Sequence, residues 1–274
     1  MTEGAAREVG DGVDREATLR TLTDGTLEVT GRLVEASNGT FFGRVTRDDH
    51  VLECVYKPVR GERPLWDFPD GTLAARERAS YLVSEAAGWH VVPPTVLREG
   101  PFGFGMAQVW IDVDVDAPQV AVVPAGQAPD GWFAVVEAVD VEDRPVVLLH
   151  RDSPELRALA LFDAVVNNAD RKGGHLLPTG GAVLGCDHGL TFHEEVKLRT
   201  VLWGWADAAL EPGERRTLER LQGRLAAGPL HDALAELLTR RERAALSERV
   251  AELLVSGRMP DPGDRWPTIP WPPL

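Results

Sequence analysis

Between Leu27 and Val109 the chain alternates short β-branched and aromatic runs with turn signals, and one long helical stretch interrupts them. "TLEVTGRLVEA", "TFFGRVTR" and "VLECVYKPV" read as strands, joined at "SNG" and "DDH". The Pro/Gly-rich loop "GERPLWDFPDG" precedes residues 72–87, which read as a helix. Leu73, Arg76/Glu77, Ser80/Tyr81 and Ser84 recur there at helical spacing, and Gly88 supplies a stop. "VVPPTVLRE" and "FGMAQVWIDV" add further strands. The acidic run "DVDVD" and the Pro/Gly-rich stretch after it read as a lobe boundary, beyond which helices take over. "SPELRALALFDAVVNN" starts with a Ser153 cap, a proline in the first turn and Glu155, all helix-start signals. Residues 214–227 and 230–256 read as helical, and the Pro/Trp-rich end as extended. A β-rich half followed by a helical half predicts an α+β fold of two lobes with a cleft between them. The lobes are expected at residues 1–111 and 112–274, with residues 1–12 disordered.

Bulk chemistry narrows the function. The chain has 274 residues and a net charge of −14, from 43 Asp and Glu against 29 Lys and Arg. That balance repels phosphate backbones and anionic lipid, so nucleic acid is not an expected partner. No apolar run approaches the roughly 18–20 residues that span a bilayer. The first residues are acidic without an apolar core, unlike a signal peptide, so a cytoplasmic location is expected. One disulfide between Cys54 and Cys186 is possible, but both lie in apolar strand-like runs and read as reduced thiols.

The polar groups of one segment stand out. "VVNNADRKGGHLLPTGGAVLGCDHGLTFH" holds Asn167, Asn168, Asp170, His175, Asp187, His188 and His193. Within it, "LLP" and "AVLGCD" form two short strands around "TGG". A hairpin brings its ends together, so Asp170 before it and Asp187 after it should be neighbours. Two converging carboxylates can hold a divalent cation and orient a nucleophile, as phosphoryl transfer requires. A capped helix followed by a solvated hairpin explains the same residues without chemistry. Lys57, in the apolar strand "ECVYKPV", is costly there unless paired, and Glu77 is the obvious partner; an edge lysine facing water is the plainer reading. "VEASNGTFFGRV" can present backbone N–H groups to phosphate oxygens, or be an ordinary Asn-Gly hairpin. A zinc hydrolase built from His175, Asp187, His188 and His193 lacks helical His-x-x-x-His spacing and leaves Lys57 and Glu77 unexplained.

In chain order these features are a small-residue turn, a strand lysine, a helix glutamate, a linker strand, a catalytic aspartate, a hairpin and a metal aspartate. The sequence resembles the atypical kinases of the phosphatidylinositol 3-/4-kinase superfamily, type II phosphatidylinositol 4-kinases most closely and HipA-type kinases more distantly. The resemblance covers roughly residues 30–210 and rests on "VYKPVRGERP", "LAARERASYLVSEAAGWHVVPPT", "MAQVWI", "NNADRKGGHLL", "CDHGLTF" and "LWGWADAAL". It implies a two-lobed protein-kinase-like fold and an ATP-dependent transfer to a hydroxyl acceptor. Lys57 would contact the ATP phosphates and pair with Glu77. Ser37, Asn38, Gly39 and Thr40 would cover the phosphates. Gln108, Val109, Trp110 and Ile111 would lie against adenine. Asp170 would orient and deprotonate the acceptor, Arg171 would brace the loop, and Asp187 would ligate Mg²⁺.

One departure from the family pattern concerns the metal. The family carries asparagine five residues after the catalytic aspartate, where this chain has His175. Mg²⁺ prefers hard oxygen ligands, whereas imidazole suits Mn²⁺, Zn²⁺ or Fe. His175 is therefore either a ligand to Mg²⁺ or Mn²⁺, or a phosphate donor. A nucleotide-binding pseudokinase acting as an interaction module stands as the alternative. Residues 187–200 carry only Lys197 and Arg199 as cations, against Glu194 and Glu195, a poor surface for lipid. The acceptor reads as a soluble polyol, a protein hydroxyl or the chain's own Ser37 or Thr40, with phosphoinositide as the family-based alternative.

Overall fold

A computed structural model describes residues 12–33, 39–63, 65, 67–68, 73–263 and 267–274. The expectations for Ser37, Asn38 and the first eleven residues fall outside these. The chain divides into two compact units, Met1–Arg63 with Pro93–Ile111, and Pro64–Val92 with Asp112–Leu274.

The first unit contains helix α1 (Gly12–Asp24) and strands β1 (Thr26–Arg32), β2 (Phe41–Arg47) and β3 (His50–Pro58). Helix α2 (Leu73–Ala87) belongs to the second unit, and β4 (Thr95–Gly100) and β5 (Gly103–Val109) return to the first. The five strands form one antiparallel sheet in the order β1-β2-β3-β5-β4. Leu22 of α1 packs with Leu27, Val45, Cys54, Tyr56, Val96 and Ala107 into the core of this sheet. Fully burying a side chain of this size is worth about 1.5–3 kcal/mol. Arg98 fixes the end of α1 by donating to the carbonyls of Leu22 and, at 2.7 Å, Gly25. Burial pushes the Cys54 thiol up to about 11, against the opposing pull of Arg98, so it stays a neutral core residue.

The second unit starts with α2 and continues with a sheet that the sequence reading missed. Strands β6 (Val120–Pro124), β7 (Trp132–Val139) and β8 (Pro145–Arg151) pair antiparallel in the order β6-β8-β7. The Pro/Gly-rich composition read as a linker is that of short exposed strands and their turns. Only β8 buries a continuous run, Val147 to His150. Helix α3 (Pro154–Val166) follows. Ser153 accepts the Leu156 N–H, and Pro154 and Glu155 occupy the first turn, as the sequence predicts. Strands β9 (Leu176–Thr179) and β10 (Ala182–Gly185) form the expected hairpin, turning at Gly180 and Gly181 with φ of 53° and 84°. Three helices complete the unit: α4 (Pro212–Ala226), α5 (Pro229–Leu237) and α6 (Arg240–Ser256). The stretch read as helical over 230–256 is broken before Arg240, where Thr239 caps α6 and forms a capping box with Glu242. Among the described residues no helix is long and apolar enough to cross a membrane.

The segment "LWGW" shows how tightly this unit closes. A Cβ on Gly204 would lie 2.5 Å from Phe133 and 2.6 Å from Nε2 of His150. His150 is wholly buried, its ring centroid 4.7 Å from that of Trp205. Its Nδ1 donates to the Arg151 carbonyl at 2.8 Å, and Nε2 accepts the Gly204 N–H at 2.9 Å. The Nε2 bond needs the neutral ring, because a protonated Nε2 cannot accept. Burial holds its pKa below the reference 6.5, although the Arg151 carbonyl and Asp152 pull upwards. The stability it contributes is therefore complete above about pH 6.5 and lost as the pH falls through the lowered native value. His150→Gln should be less stable than the parent at pH 7.5 and lose less stability between pH 7.5 and 5. Thermal melts of both proteins across that range check this, and parallel curves would exclude it.

Candidate functional site

The centre of the site is a buried ion pair. Asp163 lies late in α3, in the otherwise apolar run "ALALFDAVV", and is fully buried. The Arg171 guanidinium meets its carboxylate in a fork, Nε to Oδ2 and Nη2 to Oδ1, both at 2.8 Å. Nη1 donates to the carbonyls of Cys186 at 3.0 Å and His175 at 3.3 Å. Nη2 lies 2.7 Å from Nε2 of His188. Arginine has five N–H donors and no acceptor, and these contacts use all five. His188 Nε2 must therefore accept, which puts the ring's proton on Nδ1, 4.0 Å from Oε2 of Glu77. Glu77 also accepts the His188 backbone N–H at 2.9 Å. Burial opposes the Arg171 charge, but the Asp163 carboxylate outweighs it and holds the pKa above the usual arginine value. A Cβ on Gly185 would sit 2.9 Å from Arg171 Nη2, so the small residue before Cys186 leaves the arginine its path.

This frame places the two aspartates at either end of the β9–β10 hairpin, each acting on the other's charge. Asn167 ends α3 in the left-handed region, at φ 55°, and the Asn168 side chain bonds to Asp163 at 2.9 Å and to the Asp170 N–H at 3.0 Å. The Lys172 ammonium is 3.0 Å from the Asp170 carboxylate. Burial raises the Asp170 pKa, Lys172 and His175 lower it, and Asp187 raises it again, the net result being above the ordinary value. Asp187, also left-handed at φ 59°, is half exposed, with Oδ2 3.4 Å from Nε2 of His175. Burial lowers the His175 pKa against the upward pull of Asp187, keeping the imidazole neutral. His175 Nδ1 is buried without a hydrogen-bond partner.

The remaining sequence candidates are placed as follows. Lys57 lies on β3, partly buried, in the first unit, and Glu77 on α2 in the second. Gly39 gives its N–H to the Gly61 carbonyl at 3.1 Å, and Thr40 is buried, with its carbonyl taking the Leu33 N–H. Gln108 is buried and donates to Thr95 Oγ1 at 2.8 Å. The Val109 and Trp110 N–H groups bond to the carbonyls of Pro94 and Glu53, and Trp110 meets Phe42 edge to face. Ile111 ends that unit. His188 and His193 do not join His175 and Asp187. His188 is taken by Arg171 and Glu77. His193 packs on Phe68 and accepts the Glu195 N–H through Nδ1. Among the described residues no group of three His, Cys, Asp or Glu is placed to hold a metal. Both cysteines are free thiols.

Sequence reasoning missed Asp163 and Lys172. The first signals itself as a lone charge in an apolar helix; the second had no distinguishing pattern. No protein-family model matches the chain. Protein Rv2133c of Mycobacterium tuberculosis is 48% identical over 263 residues, which span 92% of this chain and 93% of that one. The chain belongs to the Rv2133c family. Within solved structures, the Golgi casein kinase matches at a TM-score of 0.54, with 14% identity over 90% of this chain and 75% of that one. The same kinase with Mn and ADP bound matches at 0.57, with 14% identity over 90% and 76%. The Rv2133c-family chain thus has an α+β, kinase-like fold, β-rich in its N-terminal part and helical in its C-terminal part.

The ion pair at the centre carries a direct test. Asp163→Asn leaves the Arg171 charge buried without its counter-ion, and breaking such a pair costs about 3–5 kcal/mol. Urea denaturation should show a loss of that order, with Asp163→Glu intermediate. A loss below about 1 kcal/mol, the level of an exposed pair, would mean that the frame does not depend on it.

Proposed function

We propose that this protein is an ATP-dependent phosphotransferase acting on a hydroxyl acceptor, related to the phosphatidylinositol 3-/4-kinase superfamily, with residues 1–111 and 112–274 as its two functional lobes. The observation that carries the reading is the pair Asp170 and Asp187, brought to the two ends of one hairpin by a buried arginine, in a chain of kinase-like fold. The ordered motifs of the type II phosphatidylinositol 4-kinases support it, as does a fold neighbour that binds Mn and ADP.

Asp170 accepts the proton of the acceptor hydroxyl as its oxygen bonds to the γ-phosphorus. The bond between that phosphorus and the β,γ-bridging oxygen breaks, and ADP leaves. Lys172, 3.0 Å from the Asp170 carboxylate, holds that carboxylate in place and lies ready for a phosphoryl oxygen. On the nucleotide side, Lys57 takes the phosphates and Glu77 orients it, Ser37 to Thr40 cover them, and Gln108 to Ile111 flank adenine. The neutral His175 ring and the Asp187 carboxylate offer one nitrogen and one oxygen donor facing each other, which fits a divalent cation completed by phosphate oxygens and water. A bound cation would supply charge neutralisation at the β- and γ-phosphates. Nitrogen donation favours Mn²⁺ over Mg²⁺. His175 in place of an oxygen ligand also favours a second reading, a pseudokinase that binds nucleotide without transfer.

Calorimetric titration with metal–ATP separates the roles. Asp187→Asn should lose most metal-dependent nucleotide affinity, whereas Asp170→Asn should keep affinity and lose transfer, by about 10²–10⁴-fold for an acid–base group. Equal losses of affinity would refute the division of labour, and nucleotide binding with no transfer by the parent chain would leave the pseudokinase. His175→Asn should move the preference from Mn²⁺ towards Mg²⁺; an unchanged preference means that the ring is not a ligand. Lys57→Ala and Glu77→Ala should each weaken ATP binding, and their double variant should fall short of the sum of the single losses.

A further inference from the structure

The segment Pro267–Leu274 lies against the loop that carries Asp170. The Thr268 carbonyl accepts two hydrogen bonds, from the Thr200 N–H at 3.1 Å and from Trp203 Nε1–H at 3.0 Å. The Pro273 carbonyl accepts the Gly173 N–H at 2.8 Å, three residues from Asp170. Pro270 between them is buried, and a Cβ on Gly173 would stand 3.0 Å from the Leu274 side chain. Thr200 is itself bridged in parallel to Arg171, with the Arg171 N–H on the Arg199 carbonyl at 3.0 Å and the Val201 N–H on the Arg171 carbonyl at 3.1 Å. Three chain segments thus lie side by side: the Asp170 loop, residues 199–201 and the proline-rich segment.

The chemistry of this strip is specific. Its three contacts to the segment are neutral N–H donors: Gly173, Thr200 and the Trp203 indole. Four of the eight residues laid on it, Pro267, Pro270, Pro272 and Pro273, have no N–H and offer only carbonyl oxygens. Donor strip and acceptor-rich chain match, as in the recognition of proline-rich segments by grooves with aromatic N–H donors. A phosphoinositide headgroup would be held by cations, whereas the contacts this strip makes are neutral N–H groups, and Lys172 is engaged by Asp170. A free polyol would leave the spaced backbone donors without partners.

We propose that this strip is the acceptor-binding surface of the phosphotransferase, that it takes an extended, proline-containing polypeptide, and that Pro267–Leu274 is its intramolecular competitor. The proposal rests on the phosphotransfer reading for its consequence on rate, but not for occupancy of the strip. A tethered competitor acts at millimolar effective concentration, so removing it exposes the strip to weak external ligands.

The test compares the full chain with one lacking residues 267–274. Acceptors are an unphosphorylated Ser/Thr-Pro peptide library, phosphatidylinositol vesicles and myo-inositol, each with ATP and Mn²⁺. A fluorescent synthetic copy of residues 267–274 is titrated into both proteins. The copy should bind the shortened chain saturably and the full chain at least about tenfold more weakly. Peptide phosphorylation should rise about tenfold on shortening and return when the copy is added, with lipid and inositol rates unchanged. Failure of the copy to bind a cooperatively melting shortened chain overturns the proposal, as does a lipid or inositol rate that rises as much as the peptide rate. If the shortened chain does not fold, full-length Pro270→Asp takes its place. Hydrogen exchange at Gly173 and Thr200 should then accelerate together with peptide phosphorylation, and unchanged exchange or rate overturns the idea. If no form of the protein transfers phosphate, the phosphotransfer reading fails, while the titration still decides what occupies the strip.

Discussion

Burying Arg171 against Asp163 is expensive, because both charges leave water, and only close geometry and complete hydrogen bonding offset that cost. Both conditions hold. The fork at 2.8 Å supplies the geometry, and two carbonyls and a histidine nitrogen take the other donors. Such a pair adds little net stability compared with a well-packed apolar alternative, so its yield is positional. It fixes the residue next to Asp170, the carbonyl next to Asp187, and the tautomer of His188. Through His188 it reaches Glu77 on α2. One guanidinium therefore aligns three motifs that stand far apart in sequence.

The backbone around this pair is held in places it does not choose alone. Asn167, Asp187 and Phe192 adopt φ of 55°, 59° and 63°. Left-handed backbone costs an L-residue roughly 1–2 kcal/mol, least for Asn and Asp. Asn167 is tied by its side chain to the carbonyls of His193, at 3.0 Å, and Glu195, and to the Lys197 N–H at 2.8 Å. Phe192 is fully buried, and its N–H bonds to the Val166 carbonyl at the end of α3. Arg249 of α6 closes the same corner, donating to the carbonyls of Val165 and His193, with its pKa brought down to about 10 by burial. Tertiary hydrogen bonds hold Asn167 and Phe192 in this backbone region.

These contacts also mark where reading the sequence succeeds. The hairpin between the aspartates was legible because two glycines flanked by apolar pairs admit few alternatives. Helix α3 was legible from its cap, its proline and its first-turn glutamate. The sheet of β6, β7 and β8 was not, because short exposed strands share the Pro, Gly and valine content of a linker. Asp163 could have been found as a charge inside an apolar helix, but nothing local says that its partner is Arg171. Arg171 itself sits in a polar run, where nothing local announces its burial. Long-range polar pairing leaves no periodicity, and so the members of the site were visible while the interaction that assembles them was not.

Two of the histidines around Asp187 show the same limit at the level of chemistry. His175 and His188 are twelve and one residues from it, and composition makes them interchangeable candidates for a ligand. Geometry separates them. His188 has its Nε2 lone pair committed to an arginine that cannot accept, and its remaining proton faces Glu77; it is a spacer between two charges. His175 is neutral through burial, turns Nε2 towards the exposed carboxylate, and leaves Nδ1 buried without a hydrogen bond. A neutral imidazole keeps one unprotonated nitrogen, and here only Nε2 faces the exposed carboxylate. The frame built on Asp163 and Arg171 uses the His175 carbonyl and not its ring.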